Sequence, residues 1–160
     1  GLIDYLRNIT IIAWSTLIFG IILYIADKSK INKKIDIDLN LKNIIFIGIF
    51  QCLALIPGVS RSGITITSSR LIKFDRLDAA KISFYLSIPA LMGASFLGLK
   101  EAFNKNLDFN IIILISTIFS FIFSYLTIKY FLIYVKKYSL NIFVYYRIFL
   151  ALILFVIIYG

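Results

Sequence analysis

IIFIGIFQCLALIPGVSRSGITITSSRLI, residues 44–72, is an apolar stretch broken in its middle. Ile44 to Ile56 is thirteen residues long and stops at Pro57. A helix of that size rises roughly 20 Å, short of a hydrocarbon core of roughly 30 Å. PGVSRSG, residues 57–63, follows, and Ile64 to Ile72 forms a second short stretch rich in Thr and Ser. Polar backbone at membrane depth is tolerated only where it is buried in protein or lines a cavity. Residues 44–72 therefore read as a re-entrant pair of half-helices joined by PGVSRSG.

Outward from this pair the chain is apolar in long runs. Of its 160 residues 61% are hydrophobic, and its mean hydropathy is +0.95. Ile9–Ala26, Ile82–Leu99, Ile111–Tyr130 and Ile142–Tyr159 are each long enough to span, with Pro89 as an expected kink. The expected fold is all-α: one polytopic membrane domain over 1–160, with one re-entrant pair and about four transmembrane helices.

The net charge of +9 does not imply nucleic acid, because the Lys and Arg residues sit mainly between the apolar runs. Lys28, Lys30, Lys33, Lys34 and Lys42 form one basic loop, and Arg70, Lys73, Arg76 and Lys81 another. Lys129, Lys136 and Lys137 mark a third inner end. The positive-inside rule makes all three cytoplasmic. Both feet of the half-helix pair then lie on one side, and Lys100 to Asp108 is an outer loop. Tyr145, Tyr146 and Tyr159 read as interfacial aromatics, Arg147 as an anchor snorkelling from a helix end, and Gly93, Ala94, Ser95 and Gly98 as a helix-packing face. Cys52 is alone, which excludes a disulfide framework and a Cys metal site.

Arg61 is the only charge between Lys42 and Arg70. An ionisable residue inside a membrane segment is expensive and is a functional-site candidate, the alternative being a plain turn at Pro57, Gly58 and Gly63 with Arg61 snorkelling to the headgroups. Its planar fork matches two phosphate oxygens at once. Ser60, Ser62 and Thr65 add hydroxyls. Gly58 and Gly63 leave the backbone open as an anion nest, and Gly63 opens the second half-helix, whose N-terminus attracts anions. Gln51 either reaches the site or serves as glue between helices.

A base is missing from this set. The chain has no His, and Asp4, Asp27, Asp36, Asp38, Asp75, Asp78, Glu101 and Asp108 all lie in loops or flanks. Phosphoryl hydrolysis needs a base or metal carboxylates besides a cationic clamp.

FQCLALIPGVSRSGITIT (50–67) resembles the second signature of the undecaprenyl-diphosphatase, or bacitracin-resistance, family. RLDAAKISFYLSIPALMGAS (76–95) resembles the helix that follows it, with Ser83, Phe84 and Pro89 at matching positions, and YRIFLA (146–151) resembles the last helix. The resemblance implies an inverted-repeat membrane enzyme of the bacterial inner membrane, with its site facing the periplasm or outside. It would remove the terminal phosphate of undecaprenyl diphosphate, recycling the lipid carrier for peptidoglycan synthesis and conferring bacitracin resistance. It assigns phosphate binding and catalysis to Ser60, Arg61 and Thr65; Gly58, Ser62, Gly63 and Gln51 stay substrate-binding candidates on their own chemistry.

The family's glutamate-rich first signature, which carries its histidine, is absent. A divalent cation, Mg²⁺ or Ca²⁺, is expected for a complete enzyme, with ligands outside this chain. Gly1 is not Met, so the chain reads as the C-terminal portion of a longer protein, to be completed by an N-terminal half or by a second copy, or as the product of a decayed gene. A lipid-phosphate flippase, built on the same broken helices, and an inactive scaffold are the alternative readings.

Overall fold

The computed structural model describes residues 8–31, 33–104 and 111–160, and only the backbone of 101–104. Its helices are α1 (Ile9–Asp27), α2 (Ile35–Asp38), α3 (Leu41–Cys52), α4 (Arg61–Leu71), α5 (Arg76–Asn104), α6 (Ile111–Lys137) and α7 (Asn141–Tyr159). Among the described residues there is no strand, only an isolated bridge between Lys33 and Phe74. α1, α5, α6 and α7 each contain a segment long and apolar enough to cross a membrane. The chain is an all-α, multi-pass membrane protein. Of the expected outer loop, Lys100 to Asp108, the backbone of 100–104 continues α5 as helix, and 105–108 lie outside the described residues.

Short polar side chains set where helices begin. Asn8 Oδ1 accepts from Thr10 N at 3.0 Å, Asn40 Oδ1 from Asn43 N at 2.9 Å, and Asp75 Oδ1 from Asp78 N at 2.7 Å. Each oxygen satisfies an amide that the first helical turn leaves without an acceptor.

α3 and α4 are the two half-helices. α3 tightens into one 3-10 turn, Leu53–Leu55, just before Pro57. The feet of the pair meet at one end of the molecule. Lys33 N donates to Lys73 O at 3.2 Å and Ile35 N to Asp78 Oδ2 at 2.9 Å. Ile47, Phe74 and Ile82 are buried together there, with Ile35, Leu39, Phe46, Ile72 and Leu86 packed on them. Lys73, at φ +78°, lets Phe74 N reach Ser69 O and Lys73 N reach Arg70 O, closing α4 with a left-handed cap.

α4 is the hub, in contact with α1, α3 and α5. Its seven consecutive residues Ile64 to Arg70 are all buried. Small side chains permit this closeness, and their hydroxyls turn back on the helix. Thr67 Oγ1 donates to Gly63 O at 2.7 Å, Ser68 Oγ to Thr65 O at 3.0 Å and Ser69 Oγ to Thr65 O at 2.8 Å. No polar group of this trio is left for solvent to satisfy.

Three charges expected in loops, Asp27, Arg70 and Asp78, are buried. Arg70 is 1% exposed, and its guanidinium donates to Phe74 O, Asp27 O and Ser29 O at 2.6, 2.7 and 3.0 Å. Asp27, 4% exposed, takes both prongs of Arg76 at 2.7 and 2.9 Å and the Leu140 amide at 3.2 Å. Arg70, read as a loop charge, is a buried helix residue. It flanks an apolar run in sequence, but the α4 cap folds it under the bundle. This ionic knot ties the ends of α1 and α4 to the starts of α5 and α7.

Above the knot α1 packs on α7. A Cβ at Gly20 would lie 3.2 Å from Arg147 Cβ, so the missing side chain permits that approach. The outer part of α5 and nearly all of α6 are exposed and apolar; only Val135 of α6 is buried. Pro89 sits inside α5 without ending it. Gly93 and Gly98 have no atom of another element within reach of a Cβ, so the expected packing face is uncovered among the described residues.

Candidate functional site

PGVSRSG is pinned by its first half and free at its second. Ser15 Oγ donates to Pro57 O at 2.6 Å, Thr16 Oγ1 approaches Gly58 O at 3.4 Å, and Val59 is wholly buried. Gly58 has φ +93°, and a Cβ there would meet Ser15 Oγ at 2.6 Å and Ile12 O at 2.8 Å. The loop rests directly on α1, and only glycine fits that contact. Gly58 therefore shapes the loop by facing α1.

Ser60 adopts φ +52°, a sparsely populated conformation for a residue with a Cβ. This bend makes it the N-cap of α4, where Ser60 Oγ accepts from Gly63 N at 3.2 Å. Ile64 N, bonded to Ser60 O at 3.0 Å, is the first amide returned to the helix. The amides of Arg61 and Ser62 have no acceptor among the described residues, and Ser60, Arg61 and Ser62 are exposed. Free amides at a helix N-terminus form an anion site.

Depth follows from helix rise. Arg70 to Gly63 along α4 and Leu140 to Arg147 along α7 each cover about 10 Å, and Asp27 to Thr16 along α1 about 16 Å. The loop therefore stands roughly 10–16 Å along the helices from the ionic knot.

Arg61 makes no hydrogen bond or ion pair among the described residues. It opens on a cavity of about 300 Å³ lined also by Gln51, Ser62, Thr65, Ser83, Phe84 and Ser87. Gln51 Oε1 is buried with no hydrogen-bond partner, so no described helix takes it as glue. Thr65 Oγ1 lies 2.6 Å from Ser83 Oγ and 3.0 Å from Ser62 O. Its hydroxyl is thereby held in the cavity wall with Ser83, a residue that the sequence reading left out of the site. Only the packing of α4 on α5 brings the two together.

A second cavity, of about 190 Å³, lies on the α7 side. Ser60, Ser62, Gly63 and Arg147 line it, with Leu23, Ile66, Phe131, Leu140, Phe143 and Tyr146. Arg147 is 9% exposed, and its Nη2 donates to Gly58 O at 3.2 Å. It corrects the snorkelling reading: the side chain turns inward to the loop, because Gly20 brings α1 and α7 together at that height. Tyr146, read as interfacial, stands beside it.

No group of three or more His, Cys, Asp or Glu among the described residues could hold a metal ion. No carboxylate lines either cavity. The donor set around PGVSRSG is cationic and hydroxylic, so it suits an anion and does not fit a divalent cation.

Residues 2–153 match the family model of bacitracin resistance protein BacA. The undecaprenyl-diphosphatase of Pelagibacter ubique is 60% identical over 161 residues, covering 100% of this chain and 63% of that protein. Those of Elusimicrobium minutum and Renibacterium salmoninarum are 43% and 41% identical, each over 94% of this chain, and over 57% and 56% of their own lengths. The chain thus spans about three fifths of the relatives it matches. Matched along nearly all its length, with the half-helix pair and its arginine loop inside the match, the chain belongs to the bacitracin resistance protein BacA family.

Proposed function

We propose that this chain supplies the phosphate clamp of an undecaprenyl-diphosphate phosphatase, which releases phosphate from undecaprenyl diphosphate and returns the lipid carrier to peptidoglycan synthesis. The observation that carries the reading is Arg61, unpaired among the described residues, at the free-amide N-terminus of α4 and facing a cavity. The fork and the two amides would hold the terminal phosphate, and Ser60 and Ser62 add donors around it. Charge developing on the phosphoryl oxygens would be met by donors already in place, which is the main work of catalysis in phosphoryl transfer.

Ser and Thr hydroxyls are weak nucleophiles without an adjacent base, and neither cavity holds one. We assign the base, and the ligands of any divalent cation, to residues beyond the described part of this chain. A second half of the fold or a second copy would bring them. The membrane is the bacterial inner membrane, with the loop opening to the outer face. A lipid diphosphate suits this placement, since its tail stays in the bilayer while its headgroup enters a polar pocket.

The test is a chimera in which this chain replaces the matching part of the Pelagibacter ubique relative. Arg61→Lys keeps the charge and loses the fork. We expect at least about a tenfold loss of phosphate release, or roughly 1.4 kcal/mol of transition-state stabilisation. Turnover equal to the parent chimera would remove Arg61 from the clamp.

A further inference from the structure

PGVSRSG has a cavity on each side, and Ser62 lines both. They differ in the side chains that line them. Around Arg61 the lining side chains are Gln51, Ser62, Thr65, Ser83 and Ser87 with one aromatic, Phe84, and Arg61 also borders an apolar groove of about 380 Å³ beside Leu55, Leu86 and Ala90. Around Arg147 the loop side is polar, and the rest is Leu23, Ile66, Phe131, Leu140, Phe143 and Tyr146. Phe131, Phe143 and Tyr146 also line an open apolar groove of about 710 Å³ between α6 and α7.

Arg147 is costly where it stands. A guanidinium carries five N–H donors, and here only the contact with Gly58 O uses one. No carboxylate pairs with it among the described residues. Taking an ion out of water costs several kcal/mol unless partners offset it, and an apolar side chain of similar volume is often neutral or better. Packing against Gly20 would be served as well by methionine. The unspent donors lie in the wall of the cavity.

We propose that Arg147 is the second arm of the anion site and that it fixes the direction of the substrate. Resting on the lipid-diphosphate reading above, it places the terminal phosphate with Arg61 and the lipid-side phosphate with Arg147. Ser62 stands between the two, and the first isoprenoid units leave along Phe131, Phe143 and Tyr146. The amphiphilic lining around Arg147 matches a group that is anionic at one end and hydrocarbon at the other, and it continues into a wider apolar groove, about 710 Å³ against about 380 Å³ beside Arg61.

The experiment measures binding of farnesyl diphosphate, farnesyl monophosphate and inorganic pyrophosphate to the 160-residue chain in lipid nanodiscs. A monophosphate has only the lipid-side group, so it should depend on Arg147 and not on Arg61. Arg147→Met is expected to weaken both farnesyl ligands about tenfold, near 1.4 kcal/mol. Arg61→Met should weaken the diphosphate and pyrophosphate by a similar factor and leave the monophosphate within about twofold. If Arg147→Met loses its helical circular dichroism or its elution position, Arg147→Gln carries the same comparison. The proposal is overturned if the Arg147 variant, still folded, binds the monophosphate like the parent. It also falls if Arg61→Met weakens both farnesyl ligands equally, or if the parent chain binds no farnesyl ligand. Hydrolysis by the chimera is read separately. An inactive chimera with this binding pattern would sink the phosphatase reading and leave the two-armed site standing.

Discussion

At Gly58 one hydrogen atom decides whether the loop can lie on α1. The residue combines φ +93° with a Cβ position 2.6 Å from Ser15 Oγ. Gly58→Ala would add backbone strain of about 1–3 kcal/mol to that overlap. We expect a clearly lower thermal unfolding midpoint in detergent, with weaker pyrophosphate binding because the loop must lift. An unchanged midpoint would mean that the loop is free of α1. Arg61 was legible from sequence because a lone charge inside an apolar stretch has few structural reasons to exist. Arg147 offered the same signal six residues inside α7, but it also lay near a helix end, where snorkelling explains an arginine equally well. Only the pairing of α1 with α7 at Gly20 decides between the two, and that pairing is tertiary.

Among elements, α4 carries most of the design. Its role as half of a broken helix follows from Pro57, Gly58 and Gly63 as they stand in the sequence; its start at Arg61, inside the stretch read as loop, and its Ser60 N-cap do not. Its burial does not follow, since a helix of Thr and Ser reads as polar until its hydroxyls are seen bonded to its own carbonyls. At its N-terminus the loop is exposed, so water should reach it. A Ser62→Cys variant in a Cys52→Ala background should be labelled by a membrane-impermeant thiol reagent, and pyrophosphate should slow the labelling. No labelling from either face of the membrane would make the loop buried structure. At its C-terminus α4 depends on Asp27. Asp27→Asn removes the anion from between Arg70 and Arg76 and leaves a buried guanidinium without its counter-charge, a loss of about 3–5 kcal/mol by the behaviour of buried pairs. Thermal unfolding in detergent measures it, and a midpoint equal to the parent's would show that the knot adds nothing. The sequence hid this knot because Asp27, Arg70 and Arg76 each flank an apolar run and look solvated there.

For the whole molecule, the spans, the half-helix pair and the basic end were legible from the distribution of apolar runs and lysines. The outer half of α5 and most of α6 present apolar residues such as Met92, Phe96, Phe119 and Phe121 to their surroundings. Lipid suits such faces, and so would another membrane element. The candidate site has the same one-sidedness: Arg61, Arg147, three hydroxyls and free amides gather there, and no carboxylate lines its cavities among the described residues. The central claim is that this chain clamps phosphate and does not activate the attacking group. Its most direct test is phosphate release from undecaprenyl diphosphate in reconstituted vesicles with Mg²⁺ or Ca²⁺. The 160-residue chain and the Pelagibacter ubique chimera are compared side by side, with pyrophosphate binding measured on both. We expect both to bind and only the chimera to turn over, with its activity lost in Arg61→Lys. Turnover by the 160-residue chain alone would contradict the claim, as would failure of both proteins to bind pyrophosphate.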